Sequence, residues 1–244
     1  MARPQPVLLL PPSEGKAPGG SGGPWARRTM ADPALDRARH HVLAAARSAG
    51  AVGRGAATLP AMERYTGVLY RELDWPSLPA AARDRGDRQV RIVSGLWGLV
   101  APVDPIPAYR LKMSGRLDEI GPLTSWWRPR LAPVVAGLTE GRVVWDLLPI
   151  EHAKAMSWPS DGSGPAQRVT VRFVDAAGQT VAHWNKLLKG ALVRWILSDE
   201  PTGPEDLAHF EHPLGYRLDR GASVLDGPVA AVVLRQRGAG RTLG

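Results

Sequence analysis

The sequence of 244 residues contains no cysteine. This absence excludes disulfides, thiolate nucleophiles, cysteine-bound iron–sulfur clusters and zinc sites built on cysteine. Long hydrophobic runs are missing as well. The longest early apolar run is Val7 to Leu10, and no segment approaches the roughly 20 apolar residues that span a bilayer. We therefore expect a cytoplasmic protein without a membrane segment.

Recognised metal and nucleotide motifs are also missing. His40 and His41 are adjacent, so on a helix they point about 100° apart and do not share a metal. His209 and His212 have an H-x-x-H spacing, but no H-E-x-x-H motif supports a metal. The Walker spacing of a P-loop is absent too. We therefore predict no metal and no other cofactor.

Positive charge is the main compositional feature that is present. The chain has 31 Lys and Arg against 23 Asp and Glu, a formal charge of +8. A basic surface attracts phosphates, so a polyanion is a plausible partner. The alternative is that the arginine content only reflects a GC-rich genome. The apolar and charged fractions are ordinary for a globular protein, and we expect a single domain over residues 1–244, acting as a monomer.

The first candidate site follows a short apolar run. Val7 to Leu10 predicts a buried strand, and the loop after it contains Ser13, Glu14 and Lys16. Glycine lets backbone N–H groups approach a phosphate and lysine supplies charge, so this loop is a candidate anion site. The alternative is a solvated turn. Residues 17–24 are rich in Gly, Ser and Pro, which predicts a flexible loop.

The stretch from Val90 to Leu117 is the centre of the sequence. A β-branched run predicts a strand, which is followed by glycines, prolines and then Tyr109, Arg110 and Lys112. A buried strand that leads into a shaped polar loop is a common way to present a site. The alternative is a strand followed by a proline-rich surface connection.

Other segments alternate between helix and strand patterns. Helices are predicted from Asp32 to about Gly50, over 78–84 with an end at Gly86, over Leu123–Leu138 with Thr124 or Ser125 as the cap, and over His183–Leu197. Strands are predicted over Val143–Leu148, over 168–174 with a return strand over 179–183, and over Val229–Arg235. Residues 238–244 are predicted to be a frayed tail. These patterns predict an α/β protein.

The motifs of the central stretch are similar to a family signature. Ser94-Gly95-Leu96-Trp97-Gly98, then Pro102, Asp104, Pro107, Tyr109, Arg110, Leu111 and Met113, resemble the SGLYG…PLDxIxPYRLEM pattern of the YaaA family, the peroxide stress proteins. Further matches occur in family order at Tyr70, Glu151, Lys154, the helix around Lys186 and Tyr216. The departures include Trp97 for Tyr, Lys112 for Glu, Arg128-Pro129 for Gly-Asp, Asp146 for Asn and His152 for Tyr.

The resemblance implies both a fold and a function. The fold is expected to be a mixed α/β one with a central mixed sheet, surrounding helices and a basic cleft. The function is expected to be a cytoplasmic response to peroxide that includes mostly sequence-independent DNA binding through that cleft. The candidate DNA contacts are Lys16, Arg110, Lys112, Lys154, Lys186, Lys189 and Arg194.

The alternative hypothesis is an enzyme that acts on a small anionic substrate. Phosphate binding alone does not need Glu14 or Glu151, whereas a carboxylate beside a lysine suits acid–base chemistry. Glu151 and Lys154 are three residues apart on one helical face, although an ordinary ion pair has the same spacing. The catalytic candidates are Glu14, Tyr70, Glu151 and Lys154, and the cleft residues are Ser13, Tyr70, Tyr109 and Tyr216.

Overall fold

The strands and helices are described for residues 4–159, 162–181 and 184–237 of a computed structural model. The strands are β1 (Val7–Leu10), β2 (Thr58–Pro60), β3 (Val90–Ser94), β4 (Gly98–Val100), β5 (Pro105–Pro107), β6 (Arg116–Leu117), β7 (Gly121–Pro122), β8 (Val143–Asp146), β9 (Gln167–Val174), β10 (Tyr216–Leu218) and β11 (Val229–Gln236). The α-helices are α1 (Asp36–Ser48), α2 (Ala61–Arg64), α3 (Val68–Leu73), α4 (Ala80–Gln89), α5 (Leu123–Thr139), α6 (Ile150–Ala153) and α7 (Asn185–Asp199). Short 3-10 helices cover Pro33–Leu35, Trp75–Ser77, Pro204–His209 and Arg220–Ala222.

A seven-stranded mixed sheet forms the centre of the fold, in the order β10-β11-β9-β8-β1-β3-β4. Its five inner strands are parallel to their inner neighbours, and β10 and β4 are antiparallel at the two edges. In β1, Leu8 pairs with Val90 of β3 on one side and with Trp145 of β8 on the other. All of β1 is buried, which explains its continuous apolar sequence. The predicted mixed α/β fold with a central mixed sheet is therefore confirmed.

The parallel strands bring three separate loops to one edge of the sheet. Because β1, β3 and β8 run in the same direction, their carboxyl ends lie side by side. Ligands of open parallel sheets bind outside the carboxyl ends of the strands. The loop after β1, the stretch after β3 and the segment after β8 therefore meet where a site is expected.

A buried guanidinium fixes the stretch after β3 to helix α1. Arg39 has no exposed surface, and its Nε donates to the carbonyl of Trp97 at 3.1 Å. Its Nη2 donates to the carbonyl of Leu99 at 2.7 Å, and its Nη1 pairs with Asp36 at 3.0 Å. A strand end that has sharp turns is thus held by a charged group from another element.

A second buried guanidinium contacts the glycine-rich segment, residues 17–24. Arg64 donates through Nη2 to the carbonyls of Gly19 at 2.8 Å and Ala57 at 3.1 Å, and through Nη1 to Ala17. Gly22 and Thr58 also exchange backbone hydrogen bonds of 3.1 Å. The segment predicted to be flexible therefore has several partners in the structure. The predicted frayed tail, 238–244, lies outside the described residues.

Two local predictions are wrong. Helix α4 continues through Gly86 to Gln89, because the missing side chain lets the Trp75 ring pack against the helix where a Cβ would overlap with it. The cap of α5 is Pro122, and the Thr124 hydroxyl instead donates to the carbonyl of Met113 at 3.1 Å.

The predicted return strand over 179–183 lies partly outside the described residues, which omit 182 and 183. Its described part pairs antiparallel with β9 through a bridge between Val174 and Thr180, and the N–H of Val181 donates to the carbonyl of Phe173 at 3.1 Å. Among the residues described, no helix combines the length and apolar character needed to cross a bilayer.

Candidate functional site

A cavity of about 790 Å³ lies at the carboxyl ends of β1, β3 and β8. We call it the cleft. Its lining comes from the loop after β1 (11–16), the start of α3 (66–71), the central stretch (109–112), the segment after β8 (149–152) and the first turn of α7 (185–189). This volume lies within the roughly 300–1,000 Å³ of sites for small molecules.

Most of the predicted site residues line the cleft. They are Ser13, Glu14, Lys16, Tyr70, Tyr109, Arg110, Lys112, Glu151, Lys186 and Lys189. Lys154, Arg194 and Tyr216 do not line it. Lys154 is exposed just after α6, and Tyr216 is buried in the edge strand β10 against Phe173. Arg194 donates to the carbonyls of Leu73 and Asp74, both at 3.0 Å, and so joins α7 to the end of α3.

Lys16 has the most perturbed lysine environment of the cleft. Its Nζ donates to the carbonyl of Ser13 at 2.8 Å and lies 4.1 Å from the centre of the Tyr109 ring. Burial lowers the pKa of Lys16 to about 8, because a partly desolvated ammonium is less stable than one in water. Glu14 opposes this shift. A sizeable fraction of the Lys16 amine is therefore neutral near physiological pH.

Hydroxyl groups under Lys16 form a buried chain. The Tyr109 hydroxyl lies 2.7 Å from Ser94 Oγ and 2.7 Å from the Tyr65 hydroxyl. Burial raises the pKa of Tyr109 to about 12, so its ring stays neutral beneath the amine. Ser94 Oγ also accepts from the backbone N–H groups of Leu96 and Trp97, both at 3.2 Å. This network fixes the aromatic ring on which Lys16 rests.

The mouth of the cleft contains an exposed ion pair. Lys112 Nζ lies 2.8 Å from Glu14 Oε1, which joins the loop after β1 to the central stretch. The hydrogen bond from Lys112 lowers the pKa of Glu14, and Glu14 in turn raises the pKa of Lys112. The Tyr70 hydroxyl donates to the carbonyl of Pro11 at 2.8 Å and holds the same loop from below. Tyr70 thus positions the loop.

Positive side chains outnumber negative ones around the cleft. Among the described residues, two acidic ones line it, Glu14 and Glu151, and the basic ones are Lys16, Arg71, Arg110, Lys112, Lys186 and Lys189. Lys189 donates to the carbonyl of Leu147 at 2.8 Å, and burial lowers its pKa. Arg110 and Lys186 are exposed and have no hydrogen bond or ion pair within the described part of the chain. Their charges are available to an incoming anion.

The cleft also contains residues that sequence reasoning did not select as candidates. His152 and Asn185 line it, and His152 is 5% exposed. The only signal for His152 was that it replaces a family tyrosine, and Asn185 gave none. No group of three or more metal-ligating side chains occurs among the residues that the structure describes.

Known proteins similar to this chain support one assignment. A UPF0246 protein of Streptomyces coelicolor is 36% identical over 91% of this chain and 95% of the relative. A UPF0246 protein of Corynebacterium efficiens is 31% identical over 80% of this chain and 86% of the relative. The family model described as peroxide stress protein YaaA matches residues 29–222. The chain therefore belongs to the YaaA family of peroxide stress proteins.

Proposed function

We propose that the cleft binds a small anionic compound and that Lys16 transfers a proton to or from it. The observation that carries this proposal is the position of Lys16, whose pKa is about 8, within a cavity of small-molecule size. A proton-transfer group is most effective when its pKa lies near the working pH. An ordinary surface lysine that only contacts phosphates has no need of this environment.

In such a reaction, different residues of the cleft bind the anion and transfer the proton. Arg110 and Lys186 attract the anion, because both are exposed and unpaired in the described chain. The neutral Lys16 amine accepts a proton from the bound compound, and the Tyr109 ring below stabilises the ammonium that forms. Lys16 then returns the proton to the product, so no co-reactant is consumed. We place this activity in the cytoplasm, within the peroxide response that gives the family its name.

DNA binding is the second candidate function. The exposed cations Arg71, Arg110, Lys112 and Lys186 at the cleft and the formal charge of +8 favour it. In that case the exposed side chains contact phosphates, whereas the part-buried Lys16 and Lys189 contribute little. The affinity would fall steeply with added salt and depend weakly on sequence.

Two binding measurements separate these functions. Isothermal titration calorimetry with inorganic pyrophosphate and fluorescence anisotropy with a labelled DNA duplex are compared for wild type, Lys16→Met and Lys154→Met. We expect Lys16→Met to weaken pyrophosphate binding by about tenfold or more, the loss of one charged contact. Lys154→Met, which removes an exposed lysine outside the cleft, leaves it unchanged.

The opposite pattern favours DNA. If the protein binds the duplex tightly, if salt weakens that binding and if pyrophosphate does not bind at all, the cleft is a DNA-contacting surface and the proton-transfer proposal is wrong. A duplex affinity that changes little in Lys16→Met supports a separate role for Lys16.

A further inference from the structure

Several buried polar atoms in the cleft have no hydrogen-bond partner among the residues that the structure describes. They are Ser13 Oγ, both ring nitrogens of His152, and Asn185 Oδ1. The three residues come from the loop after β1, from α6 and from the start of α7, yet all line the same cavity. Buried polar atoms in proteins nearly always have a partner, because leaving one unpaired is unfavourable. The unpaired atoms therefore point to a ligand.

His152 is the most informative of these residues. Its side chain is almost fully buried, and burial lowers its pKa, so the ring is neutral at physiological pH. A neutral imidazole offers one donor and one acceptor. Glu151 Oε1 is 3.5 Å from Nδ1, at the limit of a hydrogen bond and not in a bonding geometry. Within the described part of the chain, both nitrogens are therefore without a hydrogen-bond partner.

Ser13 and Asn185 extend this uncharged surface. The Ser13 side chain rests on Gly67, where an added Cβ would overlap with Oγ, so the hydroxyl is held in place by the backbone of the next segment. The Asn185 amide lies in the first turn of α7. A hydroxyl, an imidazole and an amide can each donate and accept hydrogen bonds. They complement an uncharged polar group and not a bare anion.

We infer that His152, together with Ser13 and Asn185, binds the uncharged hydrogen-bonding part of a ligand whose phosphate contacts the cations of the cleft. This inference rests on the proposed function and names its substrate class. The class is an organic phosphate that carries hydroxyl or amide groups, as in a sugar phosphate or a nucleotide. His152 is a ligand-binding residue here, and Lys16 remains the group that transfers the proton.

Three probes test the inference by isothermal titration calorimetry: inorganic phosphate, ribose 5-phosphate and uridine 5′-monophosphate. We expect wild type to bind at least one organic phosphate about tenfold more tightly than inorganic phosphate. His152→Phe keeps an aromatic ring without the nitrogens and removes this advantage. His152→Gln restores a donor and an acceptor and recovers most of it. His209→Gln, an exposed histidine outside the cleft, serves as the control.

The two organic probes show which ligand groups the uncharged side chains bind. Tighter binding of ribose 5-phosphate than of inorganic phosphate indicates that they bind hydroxyl groups. A further increase in affinity with the nucleotide indicates that they bind the amide of the base. If wild type binds all three probes equally, or if His152→Phe keeps the preference, the inference is wrong while the proposed function stands. If no probe binds, the inference is wrong, and the pyrophosphate titration decides the proposed function.

If His152→Phe does not fold, NMR of the His152 ring in the wild-type protein tests the same contact. In wild-type protein with ¹⁵N-labelled histidine, the ring nitrogens of His152 are followed by NMR as the preferred organic phosphate is added. A change in their shifts that inorganic phosphate does not produce supports the contact. Unchanged shifts at saturation overturn it.

Discussion

The pKa of Lys16 gives the sharpest test of the cleft. At pH 8 about half of the Lys16 amine is neutral, whereas an ordinary lysine with a pKa of about 10.4 is roughly 0.4% neutral. The difference in neutral amine is therefore about a hundredfold. Burial causes it, and the nearby carboxylate of Glu14 partly opposes it. Substitution Glu14→Gln should therefore lower the pKa of Lys16 further.

The chain offers a simple assay, because it contains only five lysines. With ¹³C-labelled lysine, each ε-carbon resonance can be assigned by substitution and followed by NMR as the pH rises from 6 to 11. We expect Lys16 to titrate near pH 8 in wild type and at lower pH in Glu14→Gln. Lys112 is the positive control. Its pKa should fall in Glu14→Gln, since the substitution removes the carboxylate that raises it.

Glu14→Gln should lower the pKa of both lysines, but the two pKa values differ in the wild-type protein. Lys16 begins below the ordinary value and Lys112 begins above it. If Lys16 titrates above pH 10, its amine is solvated and the proton-transfer role loses its basis. If Glu14→Gln raises the pKa of Lys16, the electrostatic account of the cleft mouth is wrong.

Three further predictions concern stability, measured by urea denaturation. Arg39→Met leaves the buried Asp36 carboxylate without its ion pair and the carbonyls of Trp97 and Leu99 without a side-chain donor, so we expect a loss of about 3–5 kcal/mol, against about 0.5 kcal/mol or less for the exposed Arg37→Met on the same helix. A smaller loss than 1 kcal/mol for Arg39→Met would contradict this account. Gly190→Ala places a Cβ against the backbone of α3 and should destabilise by about 1–3 kcal/mol, whereas Gly137→Ala in open space on α5 should stabilise by up to about 1 kcal/mol. Burial lowers the pKa of His152, so its contribution to the free energy of unfolding is present above pH ~6.5 and is lost as the pH falls below that value. In His152→Gln, the free energy of unfolding should therefore decline less between pH 6.5 and 5. An unchanged slope would show that the ring is solvated.

The strands were the part of the fold most visible in the sequence. Val7–Leu10 and the run from Val90 are apolar because they are buried on both faces, and this pattern is readable without a structure. The order of the strands was not readable, because it depends on contacts between distant segments. Helix α4 shows the limit of local rules, since the ring of Trp75 needs Gly86 inside the helix and not at its end.

The sequence predicted those residues of the candidate site that carry a positive charge. Lys16, Arg110 and Lys186 were selected for that reason, and all three line the cleft. Arg194 carries the same charge, yet it bonds backbone carbonyls, a role set by the packing of two helices. Asn185 was missed because nothing local distinguishes an amide that faces a cavity from one that faces water.

The contact between Arg64 and the glycine-rich segment has a consequence for local opening. Ordering a residue of backbone costs about 1–2 kcal/mol in conformational entropy, and the four glycines of residues 17–24 bring no side chains to offset it. One guanidinium, fixed in turn to the carbonyl of Ile106, supplies part of the compensation, and hydrogen bonds between Thr58 and Gly22 and Gly23 supply another part. The order of the segment therefore depends on contacts with α2 and β2, and these contacts can open without breaking the pairing of the central sheet. This segment continues directly from the loop that carries Lys16. An opening that lets its backbone amides exchange hydrogen with water would therefore also change access to the cleft.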